Sequence, residues 1–124
     1  MNYTLTIDDV TSIIKKAEDN SIQIVHRDKN DLFIYAKHID ETAIKLFLKL
    51  LTASDLVAGP LEDDDPNRKH PIWIFKKKGF GCICYIKLKI INKNRTIIVI
   101  SFHEDEGIKA WNKMKHIVKN AMKS

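Results

Sequence analysis

The sequence has no apolar run long enough to cross a membrane and no start typical of a secreted protein. A membrane-spanning helix needs about 20 consecutive apolar residues, and every apolar run in this chain is much shorter. The opening Met1-Asn2-Tyr3 does not begin a signal peptide. We therefore expect a cytoplasmic protein with no membrane partner. Its 124 residues predict a single domain, residues 1–124, with one hydrophobic core.

Cysteine is scarce, which argues against disulfide-stabilised and zinc-binding proteins. The two cysteines, Cys82 and Cys84, lie two residues apart in a predicted strand and so share one face, where they are poorly placed to form a disulfide. The five histidines do not combine with them at a spacing typical of metal ligands. We expect two buried thiols in a reducing compartment, and neither a metal nor a cofactor.

Acidic residues are absent from residues 66–103, where basic residues are frequent. The basic residues of this stretch number nine: Arg68, Lys69, Lys76, Lys77, Lys78, Lys87, Lys89, Lys93 and Arg95. The whole chain has 21 basic and 16 acidic residues, a net charge of +5. The stretch therefore carries +9, and the other 12 basic and 16 acidic residues carry −4. This segregation of charge indicates a polyanionic partner.

Helix and strand patterns alternate in the first part of the chain. Thr6 is a suitable N-cap for a first helix, and residues 21–27 follow as a short strand. Residues 29–39 fit either a strand or a helix, and the local pattern does not decide between them. The helical alternative places four apolar side chains on one face: Leu32, Tyr35, Ala36 and Ile39. Asp40 caps a clear helix that extends to about residue 51.

Two polar segments and a final helix complete the pattern around the basic stretch. Residues 52–60 predict a turn with a short helical piece that ends at a Gly-Pro pair. Residues 61–69 predict an acidic loop, either simply solvated or with one carboxylate at the mouth of the basic site. Residues 108–122 predict an amphipathic helix that docks with its lysine face in solvent. Binding of this basic helix to a membrane or a nucleic acid is the alternative.

Residues 70–77, 82–90 and 96–103 predict three consecutive antiparallel strands. A four-residue loop after the first strand would pair Lys77 with Cys82, and a three-residue loop after the second would pair Leu88 with Ile98. This register puts Trp73, Phe75, Ile98 and Ile100 on the core face and His103 diagonally next to Tyr85. The opposite face then carries six polar side chains: Lys76, Tyr85, Lys87, Lys89, Ser101 and His103.

This polar face has the groups needed to cleave RNA without a metal. His103 can carry a proton near neutral pH, and lysine ammonium groups can stabilise the charge on the phosphate. We assign catalytic roles to His103, Tyr85 and Lys87. The predicted RNA-binding residues are Lys76, Lys77, Lys89, Arg68, Lys69 and Arg95. The alternative is a sheet that binds RNA or DNA without cleaving it.

Four short motifs, in this order and spacing, resemble the MqsR family of toxins. They are Leu51-Thr52 with Asp55-Leu56, Gly59-Pro60 and Asp63; then Ile72-Trp73-Ile74-Phe75-Lys76; then Tyr85-Ile86-Lys87-Leu88; and Val99-Ile100-Ser101-Phe102-His103. The resemblance covers roughly residues 8–105, so the predicted helix 108–122 lies outside it.

The resemblance implies an α+β fold of the RelE type, with N-terminal helices packed on an antiparallel sheet that ends in a three-stranded meander. It favours a helix for residues 29–39. It also implies cleavage of mRNA by the toxin of a type II toxin–antitoxin pair, neutralised by a cognate antitoxin protein. The family's active tyrosine falls on Tyr85 and its basic residue after Ser-Phe on His103. A family lysine falls on Ala58 and a family glutamine on Ile74, so these two contributions are missing.

Overall fold

The computed structural model describes residues 5–63, 69–93 and 95–107 and gives an α+β fold. These residues form three α-helices and one five-stranded mixed sheet. The elements are α1 (Ile7–Lys16), β1 (Ile22–Ile24), α2 (Asp28–Lys37), α3 (Glu41–Leu48), β2 (Leu56–Leu61), β3 (Ile72–Gly79), β4 (Cys82–Ile91) and β5 (Thr96–Glu104). The strand order is β1-β5-β4-β3-β2. The predicted helix 108–122 lies outside the described residues.

Local sequence signals position the helices as expected. Thr6 caps α1 through a reciprocal capping box with Asp9, and Asp40 caps α3 by accepting a hydrogen bond from the backbone N–H of Ala43. Residues 29–39 are largely helical, as α2. The expected apolar face of this helix is wrong, however, because Leu32 is 68% and Tyr35 is 79% exposed.

The two edge strands of the sheet, β1 and β2, differ from the prediction. Strands β3, β4 and β5 form the expected antiparallel meander, but β1 pairs with β5 in parallel, so the sheet is mixed. Residues 52–60 contain the predicted short helical turn, Ala53–Asp55, followed by the unpredicted strand β2. Pro60 is compatible with β2 because that strand lies at the sheet edge, where a missing N–H breaks no ladder.

The β3–β4 turn is tighter than predicted, but the faces of the strands are as expected. Gly79, rather than Lys77, pairs with Cys82. Phe80 and Gly81 form the turn with φ values of 54° and 77°, the left-handed region that two-residue hairpins require. The register differs from the prediction by two residues along the strand, which preserves the alternation of faces. Trp73 and Phe75 are therefore buried on the core face.

The predicted β4–β5 register is wrong because Ile91 pairs with Thr96, one residue later than a three-residue loop would give, and because β5 then contains a β-bulge. Leu88 pairs with Val99, but its neighbour Lys87 pairs with Ser101, so Ile100 is an additional residue in β5. Before the bulge, Ile97 and Val99 point into the core rather than the expected Ile98 and Ile100. After the bulge the alternation changes, so that Ser101 and His103 share the face of Lys87 and Tyr85, as expected.

All three helices pack on one face of the sheet. Their buried residues belong to the same core cluster as Phe75, Ile86 and Leu88. Four phenylalanines pack against one another within or beside this core: Phe33, Phe47, Phe80 and Phe102. The opposite face of the sheet is left for the polar side chains.

The two cysteines are free and lie near the β3–β4 turn, but the expectation of two buried thiols holds only for Cys84. Cys84 is fully buried, whereas Cys82 is half-buried. Both thiols lie within hydrogen-bond distance of the Gly79 carbonyl oxygen, 3.5 Å from Cys84 and 3.6 Å from Cys82. Burial, and then the neighbouring Cys82, raise the pKa of the Cys84 thiol to about 12. Cys84 is therefore protonated at neutral pH.

Candidate nucleic-acid interface

Tyr85 and His103 form an aromatic stack on the polar face. They lie directly opposite each other on β4 and β5, and their ring centroids are 5.4 Å apart with an interplanar angle of 18°. The sequence predicted that the two rings would be neighbours, but it placed them diagonally. The later pairing at the turn, Ile91 with Thr96, and the bulge at Ile100 each shift β5 by one residue, and together they produce the direct pairing.

The surroundings of His103 define which ring nitrogen can accept a proton. Its Nδ1 lies 2.9 Å from the carbonyl oxygen of Glu104. A carbonyl oxygen only accepts, so Nδ1 must carry the hydrogen and donate it. In the neutral ring the lone pair is therefore on Nε2. Among the described residues, none forms a hydrogen bond with Nε2.

Two predicted phosphate-binding lysines flank the stack. Lys76 pairs with Tyr85 across β3 and β4, and its Nζ lies 3.2 Å from an Asp105 carboxylate oxygen. Lys87 is two residues after Tyr85 and pairs with Ser101 on β5. No carboxylate of the described residues forms an ion pair with Lys87. Lys87 is thus the unneutralised ammonium group beside the stack.

Two other predicted RNA-binding lysines have carboxylate partners. Lys89 is buried in an ion pair with Asp63, a residue of the acidic loop. This contact matches the alternative that one loop carboxylate reaches the basic site. Lys77 lies on the side of the sheet facing the helices, and its Nζ is 3.5 Å from Asp55. Neither ammonium group is directed freely into solvent.

The remaining predicted RNA-binding residues lie at the periphery. Lys69 is exposed before β3, and Arg95 is exposed in the β4–β5 turn. Arg68 lies outside the described residues. The structure therefore brings Lys76, Tyr85, Lys87 and His103 together and keeps Lys69 and Arg95 at the rim.

A groove of about 480 Å³ opens beside Lys76. Ile83, which is 44% exposed, contributes an apolar surface to it, and Asp105 contributes a carboxylate. Ile83 and Lys76 are on the strand face that carries Tyr85. The groove therefore continues the polar face towards the end of the sheet where β5 finishes.

Two residues that the sequence did not indicate contact β5 at the bulge. Asn30 is 1% exposed, donates hydrogen bonds to the carbonyls of Val25 and Ile100, and accepts one from the Phe102 N–H. Arg27 donates from Nη1 to Ser101 Oγ. The sequence contains one local sign of these contacts, the polar residue Asn30 near the apolar Phe33 in α2. That sign does not identify the hydrogen-bond partners of Asn30, which are 70 or more residues away.

The two departures from the MqsR pattern are neighbours in space. Ala58 on β2 pairs with Ile74 on β3, and Ile74 pairs with Lys87 on β4. An apolar region thus borders Lys87 where the resemblance would place a lysine and a glutamine. Any phosphate contact on this side depends on Lys87 and Lys76.

Comparisons with protein-family models, curated proteins and solved structures find no match to this chain. Within residues 5–63, 69–93 and 95–107, no group of three or more His, Cys, Asp or Glu side chains is arranged to hold a metal ion. No helix in these ranges is both long and apolar enough to span a bilayer.

Proposed function

We propose that this protein is an endoribonuclease of the MqsR type, with a RelE-like fold, that cleaves mRNA as the toxin of a type II toxin–antitoxin pair. The observation that carries the proposal is the Tyr85–His103 stack between Lys76 and Lys87. These are the positions on which the resemblance places the active tyrosine and the basic residue after Ser-Phe. The partners would be mRNA and a cognate antitoxin in the cytoplasm.

The geometry supports a specific role for His103. Its free Nε2 accepts the proton of a ribose 2′-hydroxyl as the 2′-oxygen attacks the neighbouring phosphorus. The bond from phosphorus to the 5′-oxygen breaks, leaving a 2′,3′-cyclic phosphate, and the 5′-oxygen takes a proton from water. The hydrogen bond from Nδ1 to the Glu104 carbonyl and the stack with Tyr85 hold the imidazole in place. No metal takes part in this scheme.

Lys87 and Lys76 supply the charge that this reaction requires. The pentavalent phosphate carries more negative charge than the substrate, so a positioned ammonium group stabilises it preferentially. Lys87 has no carboxylate partner among the described residues and can bind the phosphate directly. Tyr85 contacts the phosphate through its hydroxyl, and the groove beside Lys76 accepts an unstacked base.

The test is cleavage of a long mRNA by the wild-type protein and by His103→Ala, with EDTA present. We expect discrete fragments from the wild type and a rate about 100- to 10,000-fold lower for the variant, the usual contribution of a general base. His70→Ala is the matched control, since His70 is exposed and lies outside the stack. Full activity in His103→Ala, or loss of wild-type activity in EDTA, would contradict the proposal.

A non-catalytic module that binds RNA or DNA through the same face is the second candidate. The observation that favours it is that water, rather than a second positioned side chain, protonates the 5′-oxygen in the scheme above, whereas RNA binding needs only the Tyr85–His103 stack and the neighbouring lysines. Such a module would retard the mRNA in a gel and leave it uncut. The cleavage assay therefore separates the two candidates directly.

A further inference from the structure

Arg27 lies at the edge of the polar face, where β1 has ended and α2 begins. It is the N-cap residue of α2. Its Nη1 lies 3.3 Å from Ser101 Oγ and 3.4 Å from the Ile100 carbonyl oxygen, and it donates to both. These two bonds hold the guanidinium group against the bulge of β5. It lies on the β1 side of β5, and its partner Ser101 precedes His103 by two residues.

The contacts of Arg27 leave one edge of its guanidinium group unoccupied. A guanidinium has five N–H hydrogens, and both bonds to β5 come from a single nitrogen, Nη1. The described residues provide no partner for Nε or Nη2. These two nitrogens form the edge that binds phosphate through two parallel hydrogen bonds.

Arg27 and Lys87 lie on opposite sides of the buried residue Ser101. Ser101 is 4% exposed. It pairs with Lys87 across the β4–β5 ladder, while Arg27 contacts it from the other edge of β5. Among the described residues, neither cation has a carboxylate partner. This distinguishes them from Lys76, Lys77 and Lys89, each of which is paired with an aspartate.

We propose that Arg27 binds an RNA phosphate, and that Ser101 is the residue that positions it. Lys76, Tyr85 and His103 lie on three adjacent strands, and Arg27 lies beyond the last one. Adjacent strands are about 4.8 Å apart, so Lys76, Tyr85 and His103 form a row across the sheet. Arg27 contacts Ser101 and so lies at the end of the neighbouring row, which contains Lys87 and Ser101. The RNA therefore crosses the strands, with Arg27 on a phosphate adjacent to the one at His103. This inference rests on the proposed RNA-cleaving function.

The experiment measures binding of an RNA of mixed sequence in which every 2′-hydroxyl is methylated, so that it cannot be cut. Arg27→Met should weaken binding about tenfold, the value of one hydrogen-bonded charged contact. It should also reduce the slope of log affinity against log salt concentration by about 0.7, as for one phosphate contact on a single strand. Lys16→Met is the charge-matched control, because Lys16 is exposed on α1.

A double-mutant cycle tests the role of Ser101. Ser101→Ala should weaken RNA binding in the wild-type background and have no further effect in Arg27→Met, because Ser101 acts through Arg27. A merely structural role for Arg27 would lower the melting temperature and leave the salt slope unchanged. Arg27→Lys, which keeps the charge, should retain most of the slope.

The outcomes separate this inference from the function on which it rests. Cleavage by the wild type, together with equal affinity and salt slope for Arg27→Met and Lys16→Met, would overturn the role of Arg27 alone. Absence of both cleavage and binding by the wild type would overturn the proposed function and this inference with it. A reduced slope in Arg27→Met alone would establish the phosphate contact.

Discussion

Replacing Asn30 with leucine is expected to destabilise the protein by roughly 2–5 kcal/mol. Strand β1 pairs with β5 only as far as Val99, and beyond it the Asn30 side chain hydrogen-bonds to Ile100 and Phe102 in place of a strand. Leucine would leave the buried Phe102 N–H without an acceptor, which costs about 1–3 kcal/mol. The two partly buried carbonyls of Val25 and Ile100 add about 0.5–1.5 kcal/mol each. Ile100 contributes less because Arg27 also donates to it.

Urea unfolding, monitored by circular dichroism, measures this change, with Asn20→Leu as the control because Asn20 is exposed. A loss below about 0.5 kcal/mol, the usual range for a surface substitution, would refute the assignment of Asn30 as a structural replacement for a strand. The urea midpoint should fall while the slope remains unchanged.

The stability of the Asn30→Asp variant is expected to depend on pH. The carboxylate would still accept from the Phe102 N–H, but it would face the Val25 and Ile100 carbonyls, which need a donor. Burial and these oxygens raise the pKa of the new carboxyl above its unfolded value of about 3.9. The variant should therefore be weakest relative to wild type at neutral pH and recover on acidification towards pH 4. Asn20→Asp should show no such recovery.

Two further changes test the packing and the first helix. Gly79→Ala should cost about 1–3 kcal/mol by overpacking, since the added Cβ would overlap the Phe47 ring, with Cζ only 2.6 Å away; an unchanged thermal midpoint would contradict this. Thr6→Ala should cost about 1 kcal/mol, because it removes the Oγ1 that accepts a hydrogen bond from the backbone N–H of Asp9. The backbone N–H of residue 6 remains, and its hydrogen bond to the Asp9 carboxylate is the larger cause of the lowered pKa of Asp9. The Asp9 contribution, which is present above the unfolded pKa and lost as the pH falls, should therefore largely persist in the variant, and the difference from wild type in a thermal melt should change little with pH.

Signals within a few residues of one another predicted the local structure well. Thr6 and Asp40 cap helices because a cap depends on residues three positions away. Strand faces in β3 and β4 followed from alternation, and an error of two residues in the turn did not change them. The fold class and the meander could therefore be predicted.

The features that were missed depend on contacts between distant parts of the chain. Residues 96–100 are almost uniformly β-branched and apolar, so both registers of β5 bury suitable side chains, and the sequence gives no sign of the bulge. Strand β2 was missed because Gly59-Pro60 is typical of a turn, and only pairing with β3 makes it a strand. Arg27 and Asn30 contact β5 over 70 or more residues.

The charge segregation in the sequence is partly cancelled in three dimensions. The partners of Lys76, Lys77 and Lys89 are Asp105, Asp55 and Asp63, all of which lie outside residues 66–103. A count of charges along the chain could not show this, because it does not report which carboxylates fold back onto the strands.

On the proposed RNA-binding function, the Lys76–Asp105 pair would make this face selective among anions. Asp105 is a tethered counterion, present at high local concentration and never diluted by solvent. An anion that binds Lys76 must share its ammonium group with this carboxylate or displace it, so diffuse attraction is weakened. A ligand that also engages a neighbouring group can displace it, whereas a simple salt anion gains little. Competition from the Asp105 carboxylate would thus favour binding of ligands that make several contacts over anions that contact Lys76 alone.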